Sequence, residues 1–111
     1  MGATNEDDGG LAQLRRLCGG PRDGALLRVS IANVHLARAQ VEAAIVELRA
    51  ALDFDPDYSA AWKLLGKALE PADAAAARDA YRAGIAAATR RGDKQAGKEM
   101  SVFLRRLEKP A

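Results

Sequence analysis

Lys63 and Lys67 stand four residues apart. On a helix that spacing puts both ammonium groups on one face, within reach of a shared anionic group. Lysines attract a carboxylate as point charges, without the oriented fork of a guanidinium. Lys98 adds a cation further along the chain. The rest of the reactive inventory is thin. His35 is the single histidine and Cys18 the single cysteine, so a protein metal site lacks its usual donors and no intramolecular disulfide can form. There is no H-E-x-x-H, C-x-x-C or G-x-S-x-G pattern, and Gly66-Lys67 lacks the upstream glycine of a phosphate loop. His35 is expected as a packed, partly buried histidine. Cys18, with no positioned histidine beside it, reads as a small buried hydrophobe. These residues point to binding rather than catalysis: no enzyme, no metal and no cofactor is expected.

Charge narrows the class of partner. The 111-residue chain carries a formal net charge of +2, too little to imply nucleic acid. Its distribution is uneven: Glu6, Asp7 and Asp8 make the first ten residues acidic, whereas residues 89–111 hold seven Lys or Arg against three acids. A solvated tail and a solvated last helix would produce this pattern, as would a basic surface for an acidic partner. No apolar run is long enough to span a bilayer, and the acidic, glycine-rich start is unlike a signal peptide. A cytoplasmic protein is expected.

Helices must position these groups. The composition is 49% hydrophobic with 5% aromatics and much alanine, which favours helices packed closely through small side chains. Leu11, Leu14, Leu17 and Cys18 predict a short helix over 10–18, ended by Gly19-Gly20-Pro21. Asp23 is placed to cap the next helix, on which Leu27, Ile31, Val34 and His35 share a face. From Val41, a stripe of Ala44, Ile45, Leu48, Ala51 and Leu52 runs to the break at Pro56. A helix from about Asp57 to Leu69 turns Ala61, Trp62, Leu65, Ala68 and Leu69 inward. Asp73 can cap a helix that ends at Gly92 behind Arg90 and Arg91. A last helix, about 93–108, aligns Ala96, Met100, Phe103, Leu104 and Leu107.

The chain also repeats itself. Leu27, Ile31, Ala32, Val34 and His35 recur 34 residues later as Ala61, Leu65, Gly66, Ala68 and Leu69. Ala44, Leu48, Ala51 and Leu52 recur 33 residues later as Ala77, Tyr81, Gly84 and Ile85. One residue is therefore missing near Glu70-Pro71, in a turn. Ala32 and Gly66 fall where the first helix of each unit would approach the second, and bulky neighbours would fill the space around that contact.

The stretch Trp62-x-x-Leu65-Gly66, with Ala77, Tyr81 and Gly84, resembles a tetratricopeptide repeat. So does the earlier copy, with Ile31-Ala32, Ala44, Leu48, Ala51 and Asp55-Pro56. Arg28 and His35 depart from the pattern, standing where a large apolar residue and a tyrosine are usual. The resemblance implies an all-α solenoid: an acidic disordered tail (1–9), then a single domain over 10–111. That domain comprises a short N-terminal helix, repeats at 25–58 and 59–92, and a C-terminal capping helix at 93–108, like small stand-alone bacterial members of the family.

It further implies a concave groove lined by the first helix of each repeat, in which a protein or peptide segment lies. The groove positions fall on Leu26, Val29, Ser30, Asn33 and Leu36, and on Ala60, Lys63, Leu64, Lys67 and Glu70. Val29, Asn33, Lys63, Leu64, Lys67 and Lys98 are the candidate binding residues. Asn33 matches an asparagine of the carboxylate clamp found in some members. Val29 and Leu64 stand where that clamp has a lysine and a second asparagine, so the full clamp is not met. Trp62, at a structural position of the family, is expected in the core. The implied function is an adaptor holding a protein or peptide, acidic by charge complementarity. The alternative is an assembly subunit that self-associates or docks through its end helices, as a monomer or weak homodimer. Nucleic-acid binding through Arg90, Arg91, Lys94, Lys98, Arg105 and Arg106 would lack interleaved aromatics.

Overall fold

A computed structural model describes residues 10–109. The expected acidic tail, 1–9, lies outside the described residues. Six helices follow in order among those described: α1 (10–16), α2 (Ala25–Ala37), α3 (Val41–Phe54), α4 (Ser59–Leu69), α5 (Ala74–Arg91) and α6 (Lys94–Glu108). No strand occurs among the described residues. Helices α2 and α3 pack together, as do α4 and α5; α3 then meets α4, and α5 and α4 both meet α6. The result is an α-solenoid of stacked helix pairs closed by α6.

Helix ends follow the local chemistry. Asp73 and Asp93 each accept a hydrogen bond from the backbone N–H three residues on, at Ala76 and Ala96, neutralising a free helix donor. Gly92 closes α5 in the left-handed conformation (φ 70°), and Asp93 N–H reaches back to Ala88 O at 2.8 Å, a Schellman closure. The α2–α3 turn uses the same device: Gln40 N–H bonds His35 O at 2.8 Å, with Ala39 at φ 58° where a glycine is usual. At the α4–α5 turn the bond runs from Asp73 to Leu69. That closure is one residue shorter, which is the missing residue seen in the repeat.

Asp23 departs from expectation. The residue before α2 is Gly24, without a side-chain cap. The Asp23 carboxylate instead binds Arg28 at 2.9 Å and accepts from Gly19 N–H at 2.7 Å. Arg28 also donates to Glu47 at 3.1 Å, and Arg15 of α1 approaches the same carboxylate at 3.7 Å. Arg28 is thus the centre of an ionic cluster joining the α1–α2 loop, α2 and α3. His35 is buried beside it, with Arg15 on Nε2 at 3.0 Å and Gln40 Oε1 on Nδ1 at 2.8 Å. A guanidinium only donates, so Nε2 accepts and Nδ1 carries the proton.

The core contains Ala32, Ala44, Leu48, Ala51, Ala61, Leu65, Ala77, Tyr81 and Met100. Small residues set the helix spacing. A Cβ on Gly66 would lie 2.6 Å from Tyr81 Cδ1, and one on Gly84 would lie 2.6 Å from Trp62 Cβ. The tyrosine ring therefore lies against bare backbone of α4. Its hydroxyl donates to Glu70. Burial, followed by that bond, raises the phenol's pKa above its ordinary value.

Candidate functional site

Helices α4 and α6 run side by side in the same direction, tied by successive contacts. Ser59 Oγ donates to Asp93 at 2.8 Å, Lys63 Nζ to Glu99 at 3.1 Å, and Lys67 Nζ stands 4.6 Å from the centre of the Phe103 ring. The Ser59 hydroxyl, then the Ala96 amide, hold the Asp93 carboxyl below the usual carboxylate range. On α6, Glu99, Phe103 and Arg106 are spaced by four and three residues, so they present one face to α4.

Phe103 is the centre of this surface. Arg106 also lies on its ring, 5.1 Å from guanidinium carbon to ring centre. Two cations thus converge on one aromatic, each favoured by the ring quadrupole. Neither Lys67 nor Arg106 forms an ion pair among the described residues, whereas Lys63 is paired with Glu99. The strip therefore has one neutralised cation and two whose positive potential remains open to an anion. Arg106 was missed as a partner of the lysines because the sequence does not show how α6 registers against α4. Its spacing of three from Phe103 was the available signal.

The remaining candidates are scattered. Val29, expected in the groove, is 7% exposed and belongs to the core. Together with Ala25, Ala32 and Leu36 it forms the inward face of α2, so its side chain offers nothing to a ligand. The outward strip of α2 is Leu26, 71% exposed, followed by Ser30 and exposed Asn33. Asn33 makes no hydrogen bond among the described residues. Leu64 is partly buried against the core. Lys98 is exposed but lines a groove between α5 and α6, rather than joining Lys63 and Lys67. Trp62 is half-buried, packs on the core and donates Nε1–H to Pro56 O at 2.7 Å. Cys18 is half-buried. Arg90 and Arg91, named above as nucleic-acid-binding candidates, are held by Asp57 and Asp55 at 2.6 and 2.7 Å; Arg90 keeps the Asp57 carboxyl below its ordinary pKa.

A TPR repeat-containing protein of Pseudomonas aeruginosa is 49% identical to this chain over 88 residues, covering 78% of this chain and 84% of the relative. The chain belongs to the tetratricopeptide repeat family. Its fold is similar to the solution structure of a protein from Bordetella parapertussis, with TM-score 0.74 and 48% identity over 87% of this chain and 85% of that one. It is also similar to the solution structure of a tetratricopeptide repeat domain protein from Salinibacter ruber, with TM-score 0.73 and 28% identity over 79% of this chain and 89% of that one. No family model matches the chain. Tetratricopeptide repeats are in general protein-interaction modules, and the strip lies on α4, the first helix of the second helix pair, and on α6, the helix that follows that pair. No helix among the described residues is long and apolar enough to cross a membrane.

Proposed function

We propose that this tetratricopeptide protein is an adaptor that holds an acidic segment of another protein across α4 and α6. The observation that carries this reading is the convergence of Lys67 and Arg106 on Phe103, with neither cation in an ion pair among the described residues. A ligand carboxylate placed over that pair gains two favourable charges beside a surface of partly buried apolar side chains, Leu64 and Phe103. Exposed Leu26 and Asn33 on α2 extend the surface with one apolar and one hydrogen-bonding group. Lys63 acts indirectly, since its bond to Glu99 fixes α6 against α4. The role needs no reactive centre, and we read the chain as non-enzymatic.

The surface is short, so micromolar or weaker affinity is the expectation. The test is titration of the labelled chain with a short acidic peptide of alternating Asp and Leu, followed by amide chemical shifts. The largest changes should fall on Lys67, Phe103 and Arg106, and K67E/R106E should abolish them. Equal binding by the reversed variant would refute the reading.

A further inference from the structure

The far side of α5 and α6 carries a groove of about 620 Å³, floored by Ile85, Ala88, Gly97 and Val102 and edged by Lys98 and Arg105. We propose that this groove is a second docking site, and that its occupant is an acidic amphipathic helix of another protein, stacked on α5 and α6 as a further layer of the solenoid.

The molecule's own layering carries the inference. Ala61 and Leu65 of α4 recur on α6 as Ala96 and Met100, 35 residues on and likewise buried. In that register Lys98 takes the place of Lys63, Ser101 that of Gly66, and Arg105 that of Glu70. On α5, Ile85 takes the place of Leu52. In the inner layer each of these positions is covered. Lys63 reaches Glu99 on the next helix, Gly66 lies under Tyr81, Glu70 accepts from the Tyr81 hydroxyl, and Leu52 is 8% exposed. In the outer layer the same positions line an open groove. Lys98 and Arg105 have no ion-pair partner among the described residues, and beside them Val102, which is not one of these positions, is 50% exposed.

Charge selects the occupant. The rim cations Lys94, Lys98 and Arg105 would oppose their own counterparts if two copies met here through a two-fold axis, so the surface is not self-complementary. Asp93, the acid beside them, is already engaged with Ser59 and the Ala96 amide. Lys98 and Arg105 are seven residues apart on one face of α6, about 10 Å along the axis. A helix laid in the groove meets both with two acids seven residues apart, and covers Val102 and Ile85 with apolar residues between those acids.

The test uses the full chain and a synthetic helical peptide of alanine, leucine and two glutamates seven residues apart. A composition-matched control has its glutamates five apart, which turns the second acid to another face. The first peptide should shift the amides of Gly97, Ser101 and Val102 and bind roughly tenfold more tightly than the control. K98E/R105E should remove that preference while leaving helicity intact, because neither side chain has an ion-pair partner to lose among the described residues. Equal binding of the two peptides overturns the proposal, as do shifts confined to Lys67, Phe103 and Arg106. Sedimentation of the chain alone gives an independent check: a dimer that dissolves on Val102→Glu would put a second copy in the groove and also overturn it.

Discussion

Replacing Gly66 by alanine should destabilise the protein even though alanine is the better helix former. In mid-helix the exchange alone gains about 1 kcal/mol. At Gly66 the added methyl would lie 2.6 Å from Tyr81 Cδ1. The ring cannot retreat cheaply, because Tyr81 is fully buried and its hydroxyl is held by Glu70. Overpacking of this kind costs about 1–3 kcal/mol. With a contact this short we take the upper end, leaving a net loss of about 2 kcal/mol. For a domain of this size that lowers Tm by about 10 °C. Gly97 is the internal control: its added Cβ would rest 3.7 Å from Ala88 Cβ, an ordinary contact, so G97A should raise Tm by about 5 °C. Thermal melts by circular dichroism read both. Shrinking the ring should restore part of the loss, so G66A/Y81L should be less destabilised than the sum of its single variants. A rise in Tm for G66A comparable to that of G97A would refute the account of helix spacing.

Ala39→Gly should stabilise the chain by about 1 kcal/mol, because Ala39 holds the left-handed conformation that Gly92 occupies at the end of α5; chemical denaturation measures it. Arg28→Met strands both Asp23 and Glu47; with Arg15 still near Glu47, the loss should be about 2 kcal/mol, and R28M/E47L should recover only part of it because Asp23 stays unpaired. Acid should weaken the fold through Asp57 and Asp93, whose pKa values are lowered. Each carboxylate contributes stability above its unfolded pKa and loses it as pH falls toward the folded value, so Tm should hold down to about pH 5 and drop below about pH 4. Asp57→Asn should make that acid limb shallower, and an unchanged limb would contradict the role given to the Arg90 pair.

Much of the fold was legible because its signals are local. Pro56 and Gly92 end helices, Asp73 and Asp93 start them, and the alanine and leucine stripes recur at nearly constant separation. The missing residue near Pro71 was visible as a shift in that separation, and the structure gives its cause in a shorter helix closure. The errors arose where a long-range contact outweighed a local preference. Asp23 is a good capping residue by type, but the guanidinium of Arg28 competes for its carboxylate. Val29 stands at a groove position by repeat register, yet the inward turn of α2 buries it with Ala25 and Leu36. Lys98 and Lys63 occupy equivalent places on successive layers, and equivalence put them on different surfaces rather than together. The pairing of Arg106 with Lys67 over Phe103 needed the lateral register of two helices, which no single-helix pattern encodes.

The adaptor reading rests on the cation pair over Phe103, and the nuclear Overhauser effects of a bound acidic peptide address it most directly. Contacts from the peptide's aspartate β-protons to the Phe103 ring protons, lost in K67E/R106E, are the predicted result. A peptide that binds with no contact to that ring, or whose contacts survive the charge reversal, would contradict it.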